Sequence, residues 1–233
     1  MGINRLIHGS CEDWNQKADC IFMDPPDGIN LKYHGMVDQR SDYIPWLCKL
    51  VNHATELAPI VWCSYNAIWD LPLKAWANDY AKWHSSKELR TIIWYYTFCQ
   101  YRDNDFSNGY RPILLIKDKG VGYPDAIREE SERMRIGDSR AAGPKVPSDV
   151  WNFPRVAGTH AERKAWHPTQ HPVVIYDRIM KYSCKPGDLF VDYFAGTGTA
   201  FRAGLLNPTL RVTGIEQSEF YCDQLRKENV ITD

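Results

Sequence analysis

Seven short apolar runs punctuate the chain, and each stops abruptly: NRLIH (4–8), ADCIFM (18–23), PIVWCS (59–64), LRTIIWYYTF (89–98), RPILLIK (111–117), DLFVDY (188–193) and RVTGIE (211–216). Helical patterns fall between several of them, at 41–57, 67–83, 172–184, 199–206 and 217–228. Strands that are apolar almost throughout are buried on both faces. That requires a largely parallel sheet covered by helices on either side. The expected fold is therefore α/β. The tract 119–165 departs from this rhythm, being rich in Gly, Pro, Ser and charge. It reads as an insertion or recognition segment within one domain spanning 1–233.

Composition removes several classes of function. The chain has 233 residues, 44% of them apolar and 24% charged, as expected of a soluble globular protein. The apolar runs are too short for a membrane helix, and MGINRLIHGS has no signal-peptide core, so a cytoplasmic protein is expected. Seven scattered cysteines, none spaced as C-x-x-C, argue against both disulfides and a zinc site. His160, His167 and His171 form no helical metal face, because Pro168 and Pro172 interrupt it, so no metal is expected. A formal net charge of −1 excludes a bulk basic protein, yet a local basic face could still engage nucleic acid.

Two motifs hold chemistry. In DLFVDYFAGTGTAFRAG (188–204) a buried strand feeds a glycine turn and then a helix. Gly196 and Gly198 permit a tight turn and close approach of a ligand to the main chain. The next strand ends at Glu216, about twenty residues on, where an acid suits the hydroxyls of a ribose. The combination indicates a nucleoside cofactor. It lacks both the third glycine of the dinucleotide fingerprint and the G-K-[ST] of a phosphate loop. The second motif is ADCIFMDPPDGI (18–29). Two prolines cannot lie inside a sheet, so the strand ends at Met23 and leaves Asp24 on a stiff, extended turn.

DPPD, WHPTQHP and FVDYFAGTGT, in that order, resemble the beta class of S-adenosylmethionine-dependent DNA amino methyltransferases. The resemblance is clearest over 4–33 and 149–228. It implies a Rossmann-like methyltransferase fold: a mixed seven-stranded sheet with helices on both faces, circularly permuted so that the cofactor half comes last. By position, Asp192, Phe194, Ala195, Gly196, Gly198 and Thr199 would line the methionine part of S-adenosylmethionine. Glu216, with Gln217 beside it, would hold the ribose, while His167, Thr169 and Gln170 would bracket the amino-acid end. Asp24 belongs to the cofactor set as well. Ser10 and Cys11 stand where the family's G-D strand meets adenine, Ser10 replacing the usual Asp. His171 replaces the usual Lys.

Asp24, Pro25, Pro26 and Asp27 would form the catalytic tetrad. An exocyclic amino group is a poor nucleophile because its lone pair is delocalised into the ring. A fixed acceptor favours the tetrahedral nitrogen that can attack a sulfonium methyl. The implied partner is DNA, with the target base flipped out of the stack; a homodimer is compatible with this and a membrane is not expected. Asp27 occupies a position where the family places a stacking aromatic, and Tyr33 is the nearest ring able to replace it. The segment 99–165 is the expected target-recognition region. Its YRDNDFSNGYRP supplies Arg102, Asn104, Asn108 and Arg111 for base edges and phosphates. The leading reading is adenine-N6 methylation, because the tetrad begins with Asp. The alternatives are cytosine-N4 methylation and a catalytically weak, methyltransferase-like nucleic-acid-binding subunit.

Overall fold

The computed structural model describes residues 3–100 and 103–232, with the backbone alone for 97–100. The first half runs β1 (Asn4–His8), β2 (Cys20–Met23), a small hairpin β3 (Lys32–Tyr33) and β4 (Met36–Val37), α1 (Tyr43–Leu57), β5 (Ile60–Ser64) and α2 (Asp70–Trp83). Two long strands follow, β6 (Lys87–Gln100) and β7 (Asn108–Asp118), then α3 (Glu132–Arg135) and β8 (Val150–Asn152). The chain closes with α4 (Val173–Ser183), β9 (Leu189–Asp192), α5 (Thr199–Leu206), β10 (Arg211–Glu216) and α6 (Glu219–Lys227). All seven expected strands are present.

The main sheet has eight strands rather than the expected seven, in the order β1-β10-β9-β2-β5-β7-β6-β8. β8 is the addition. It pairs parallel to β6, with Trp94 opposite Trp151, and only Trp151 of its three residues is buried. Trp151 packs 6.0 Å from Trp62, and its indole N–H donates to the Ser148 carbonyl. A strand held by one tryptophan has too little period to be read from sequence. β7 and β8 both lie within 99–165, so part of that tract is sheet scaffold and not insertion.

Both faces of the sheet are covered, as continuous apolar strands demand. Within β2, Ile21 and Met23 point into a core shared with α1 and α2. Cys20 and Phe22 point into the opposite core, shared with α4, α5 and α6. From β2 the chain crosses through α1 to β5 on one side, whereas β9 crosses through α5 to β10 on the other. β2 and β9 are neighbours in parallel register, Phe22 opposite Asp192. The strand order therefore reverses between them, and a crevice opens at their carboxyl ends, where open α/β sheets bind ligands. Asp24 and Phe194 leave from these two ends.

Candidate active site

A cleft of about 1160 Å³ occupies that crevice. Ser10, Cys11, Asp24, Pro25, Pro26, Asp27, Tyr33, Asn108, Arg111, His167, Thr169, Gln170, Phe194, Ala195, Gly196, Thr199, Glu216 and Gln217 all line it. The sequence places these residues up to about two hundred positions apart, and the fold brings them together. Asp192 and Gly198 are not on its wall, Asn104 lies in the exposed turn between β6 and β7, and Arg102 falls outside the described residues.

The catalytic half is built differently from expectation. β7 runs past the end of β5, whose last paired residue is Ser64, opposite Ile113. Arg111 is therefore carried just beyond the sheet edge and turned onto the two carboxylates. One Nη of Arg111 donates to Asp24 Oδ1 and Asp27 Oδ1, each at 2.8 Å, and the other to Asp27 Oδ2 at 3.1 Å. Its Nε donates to Ser64 Oγ at 2.7 Å. His171 Nδ1 lies 2.8 Å from Asp24 Oδ2, and its Nε2 lies 3.0 Å from Ser64 Oγ. The Nδ1–H of His171 donates to Asp24, and its other nitrogen and the Ser64 hydroxyl share a hydrogen bond. Asp24, Arg111, Ser64 and His171 thus close a ring of hydrogen bonds.

Arg111 was expected to read DNA. Its guanidinium is instead taken up by Asp24, Asp27 and Ser64 inside the protein. Asp27 is no free surface acid either: it is 8% exposed, with Asn66 Nδ2 donating to its carboxylate and Trp69 Nε1 to its carbonyl. Burial works against a charged Asp24, but His171 and Arg111 outweigh it and hold the carboxyl well below the usual carboxylate range. Each Asp24 oxygen receives one N–H and keeps a second lone-pair direction open for a ligand.

The other half of the cleft carries an acid at the end of β10. Glu216 ends β10, its carboxylate accepting from the Gly196 and Ser218 N–H groups, and burial raises its pKa. Asp192 is fully buried. Its Oδ1 accepts from the Phe194 N–H, the Tyr176 hydroxyl lies beside its carboxyl, and burial pushes its pKa up to about 7. His167 packs against Tyr33 and Tyr221, with ring centroids 5.6 and 4.6 Å away. Burial lowers its pKa to about 4, so it is neutral. The Cys11 thiol is pushed up to about 12 by burial and by Glu12, so it is no nucleophile. A carboxylate on the wall beside a neutral imidazole fits a positively charged ligand bearing hydroxyls.

Three expected contacts have roles within the fold. Gly198 has φ +74°, and a Cβ there would lie 2.5 Å from Leu225 Cδ2. Glycine is therefore required there for the tight turn and for the packing of α6. Gln170 has its amide committed to the loop before it, accepting from Lys164 N–H and donating to the Glu162 carbonyl. Ser10 Oγ accepts from the Glu12 N–H as a cap of the short turn 11–13. Sequence reasoning also missed Ser64, Asn66, Trp69 and Asp38. Asp38 is buried and ties down the Gly28 and Leu31 N–H groups, fixing the loop that carries Tyr33. Among the described residues no group of three His, Cys, Asp or Glu could hold a metal, and no helix is long and apolar enough to cross a membrane.

With a catalytic turn after β2, a glycine turn after β9 and an acid ending β10, the chain has the architecture of a class I methyltransferase. It belongs to the N6/N4 DNA methylase family, whose model, described as DNA methylase, matches residues 18–227. It is 29% identical to the DNA adenine methyltransferase YhdJ of Escherichia coli (strain K12), over 92% of this chain and 77% of the relative. It is 27% identical to the type II methyltransferase M.ScaI of Streptomyces caespitosus, over 89% of this chain and 73% of the relative. Among solved structures, the fold is shared with the M1.HpyAVI–SAM complex at TM-score 0.64 and 17% identity, covering 97% of this chain and 98% of that one. It is also shared with the cytosine-N4-specific PvuII DNA methyltransferase at TM-score 0.68 and 12% identity, covering 95% and 84%.

Proposed function

We propose that this protein methylates the N6 amino group of adenine in DNA, using S-adenosylmethionine, with the target base flipped into the cleft. The observation that carries the reading is Asp24, held ionised at the carboxyl end of β2 with one lone-pair direction of each oxygen still open. Adenine is favoured by the two adenine-type features available: a tetrad beginning with Asp and the similarity to a named adenine methyltransferase. Cytosine-N4 is the second reading, favoured by the likeness to the PvuII enzyme.

When bound, S-adenosylmethionine supplies an electrophilic sulfonium methyl. Glu216 would hold its ribose and the turn Phe194–Thr199 its methionine part, with Asp192 fixing that turn from behind through the Phe194 N–H. Neutral His167 beside Gly196 adds no positive charge near the sulfonium. Asp24 accepts a hydrogen bond from the base amino group, helped by the Pro25 carbonyl, and draws the nitrogen toward tetrahedral geometry. So oriented, the nitrogen lone pair would face the methyl group that the cofactor supplies, and the proton released on transfer would pass to water in the open cleft. Because Asp24 is held so far below the usual carboxylate range, it orients the amine and does not deprotonate it beforehand. Ring contact from Tyr33, on the cleft wall beside His167, takes the place of the aromatic absent at position 27.

The deciding experiment is sequencing of DNA from cells expressing the protein, with readouts for both modified bases. N6-methyladenine at a fixed sequence is the expected result. N4-methylcytosine alone would transfer the conclusion to the second reading, and an unmodified genome would refute both.

A further inference from the structure

β6 and β7 form the longer hairpin among the described residues, and its outer end runs beyond the rest of the sheet. Past the Ser64–Ile113 pair the Pro112 carbonyl still accepts from the Tyr65 N–H, and β8 accompanies β6 as far as Tyr95–Asn152; beyond these the pairing described is Gln100–Asn108. This arm rises directly from the catalytic centre. Arg111, at its root, touches Asp24, and Trp94, Tyr96, Asn108 and Tyr110 face the cleft along it. At the tip stands Phe106, 93% exposed, more than any other large apolar side chain among the described residues. It is five positions from Arg111, a span of at most roughly 16 Å in extended chain.

Among the described residues the Phe106 ring joins neither core cluster. Its neighbours are Asp103, Asn104, Asp105, Ser107 and Asn108. With Arg102 against Asp103 and Asp105, the tip carries no net positive charge, so what it adds to DNA binding is the ring itself. Extrusion of a base toward Asp24 leaves a gap of one base in the stack. Apolar wedges fill such gaps, and base–aromatic stacking tolerates any sequence. We propose that Phe106 is the wedge that enters the DNA stack in place of the flipped base. The inference rests on the base-flipping reading above.

Two measurements test it. In methyl transfer, Phe106→Ala should lower kcat/KM on duplex DNA at least tenfold, yet stay within about twofold of wild type on the same target strand presented single-stranded, where nothing is left to hold open. Phe106→Trp should restore duplex activity, and none of the changes should move Tm or cofactor affinity. In binding, a duplex containing one abasic residue should be held more tightly than the intact duplex by the wild type, a preference lost in Phe106→Ala. This arm needs no turnover and no knowledge of the target site. Absence of methyl transfer by the wild type would therefore overturn the functional reading while the abasic preference still decided on the wedge. Equal losses on duplex and single strand, or an unchanged abasic preference in Phe106→Ala, would overturn the proposal.

Discussion

Arg111→Met is the most informative single change, because it removes the cation that two carboxylates share while keeping the volume of the side chain's stem. Arg111 makes hydrogen bonds of 2.7–3.1 Å to Ser64, Asp24 and Asp27, and its side chain is 15% exposed. The pair it serves is nearly as enclosed, at 19% and 11% for Asp24 and Asp27. Removing one partner of a buried ion pair costs about 3–5 kcal/mol, because the remaining charges lose their compensation. In a domain of this size each kcal/mol is worth roughly 2–4 °C, so Tm at neutral pH should fall by about 10 °C. Asp24 is held ionised by His171 and Arg111 against the opposing effect of burial. The sign for stability follows. A carboxylate depressed in the folded state stabilises above its unfolded value, and that stabilisation is lost only as pH falls through the folded one. In the variant, desolvation acts with one opponent fewer, so the titration of Asp24 moves upward. The acid limb of kcat/KM should rise toward neutrality, with turnover at pH 7 down at least tenfold and cofactor affinity nearly unchanged. Adding Asp27→Asn should recover part of the lost stability, since it removes one of the stranded charges. Methyl-transfer profiles from pH 5 to 9, with calorimetry on both variants, read all of this. Wild-type turnover and an unmoved acid limb in Arg111→Met would refute the reasoning.

Further expectations follow from other parts of the cleft. Asp24→Ala should abolish methyl transfer while changing cofactor affinity by less than about tenfold, or 1.4 kcal/mol, in a calorimetric titration. Glu216→Ala should weaken cofactor binding by about 1.5–3 kcal/mol; an unchanged Kd would show that the ribose lies elsewhere. Asp192 has its pKa raised to about 7 by burial, so the folded protein binds a proton that the unfolded chain has already released. Stability is then full below the unfolded value and falls as pH climbs to about 7, by roughly 4 kcal/mol in total. Asp192→Asn should accordingly raise Tm at pH 8, with the gain shrinking toward pH 4. Tyr33→Ala should cut catalytic efficiency on DNA by roughly tenfold through a loss of 1–3 kcal/mol of stacking, whereas Tyr33→Phe should be mild. A joint fall in Tm and cofactor affinity would instead make Tyr33 a packing residue.

The scaffold was legible because its signals are local. The apolar strands of β2, β5, β9 and β10 and the glycine turn before α5 are contiguous in sequence, and their periods survive folding. What was not legible depends on register. Nothing near Arg111 in the sequence distinguishes it from a surface arginine in a polar loop. Its role appears only once β7 is laid antiparallel to β5 and overshoots Ser64. The packing role of Gly198 was hidden for the same kind of reason. A glycine that admits a ligand and a glycine that admits Leu225 have one sequence signature, and only the placement of α6 shows the second. β8 escaped because a three-residue strand anchored by Trp151 presents no period to detect.

The departures from the family pattern at positions 27 and 171 are one device and not two. An Asp in place of an aromatic at the base of the cleft would, alone, be a buried anion next to Asp24, and two adjacent carboxylates resist joint ionisation. Arg111 removes that conflict by donating to both. With a guanidinium already on Oδ1 of Asp24, a lysine at 171 would bring a second full positive charge to the same carboxylate and have nothing to accept from Ser64. Histidine can donate from one nitrogen to Asp24 and share a hydrogen bond at the other with Ser64, whose oxygen in turn accepts from Arg111. Reverting one member should therefore fail where reverting the set succeeds. Asp27→Tyr alone should leave Arg111 half-paired and lower Tm, and Asp27→Tyr with Arg111→Met and His171→Lys should recover both Tm and turnover. A stable, active Asp27→Tyr single variant would show that the ring of contacts is dispensable and that position 27 varies independently.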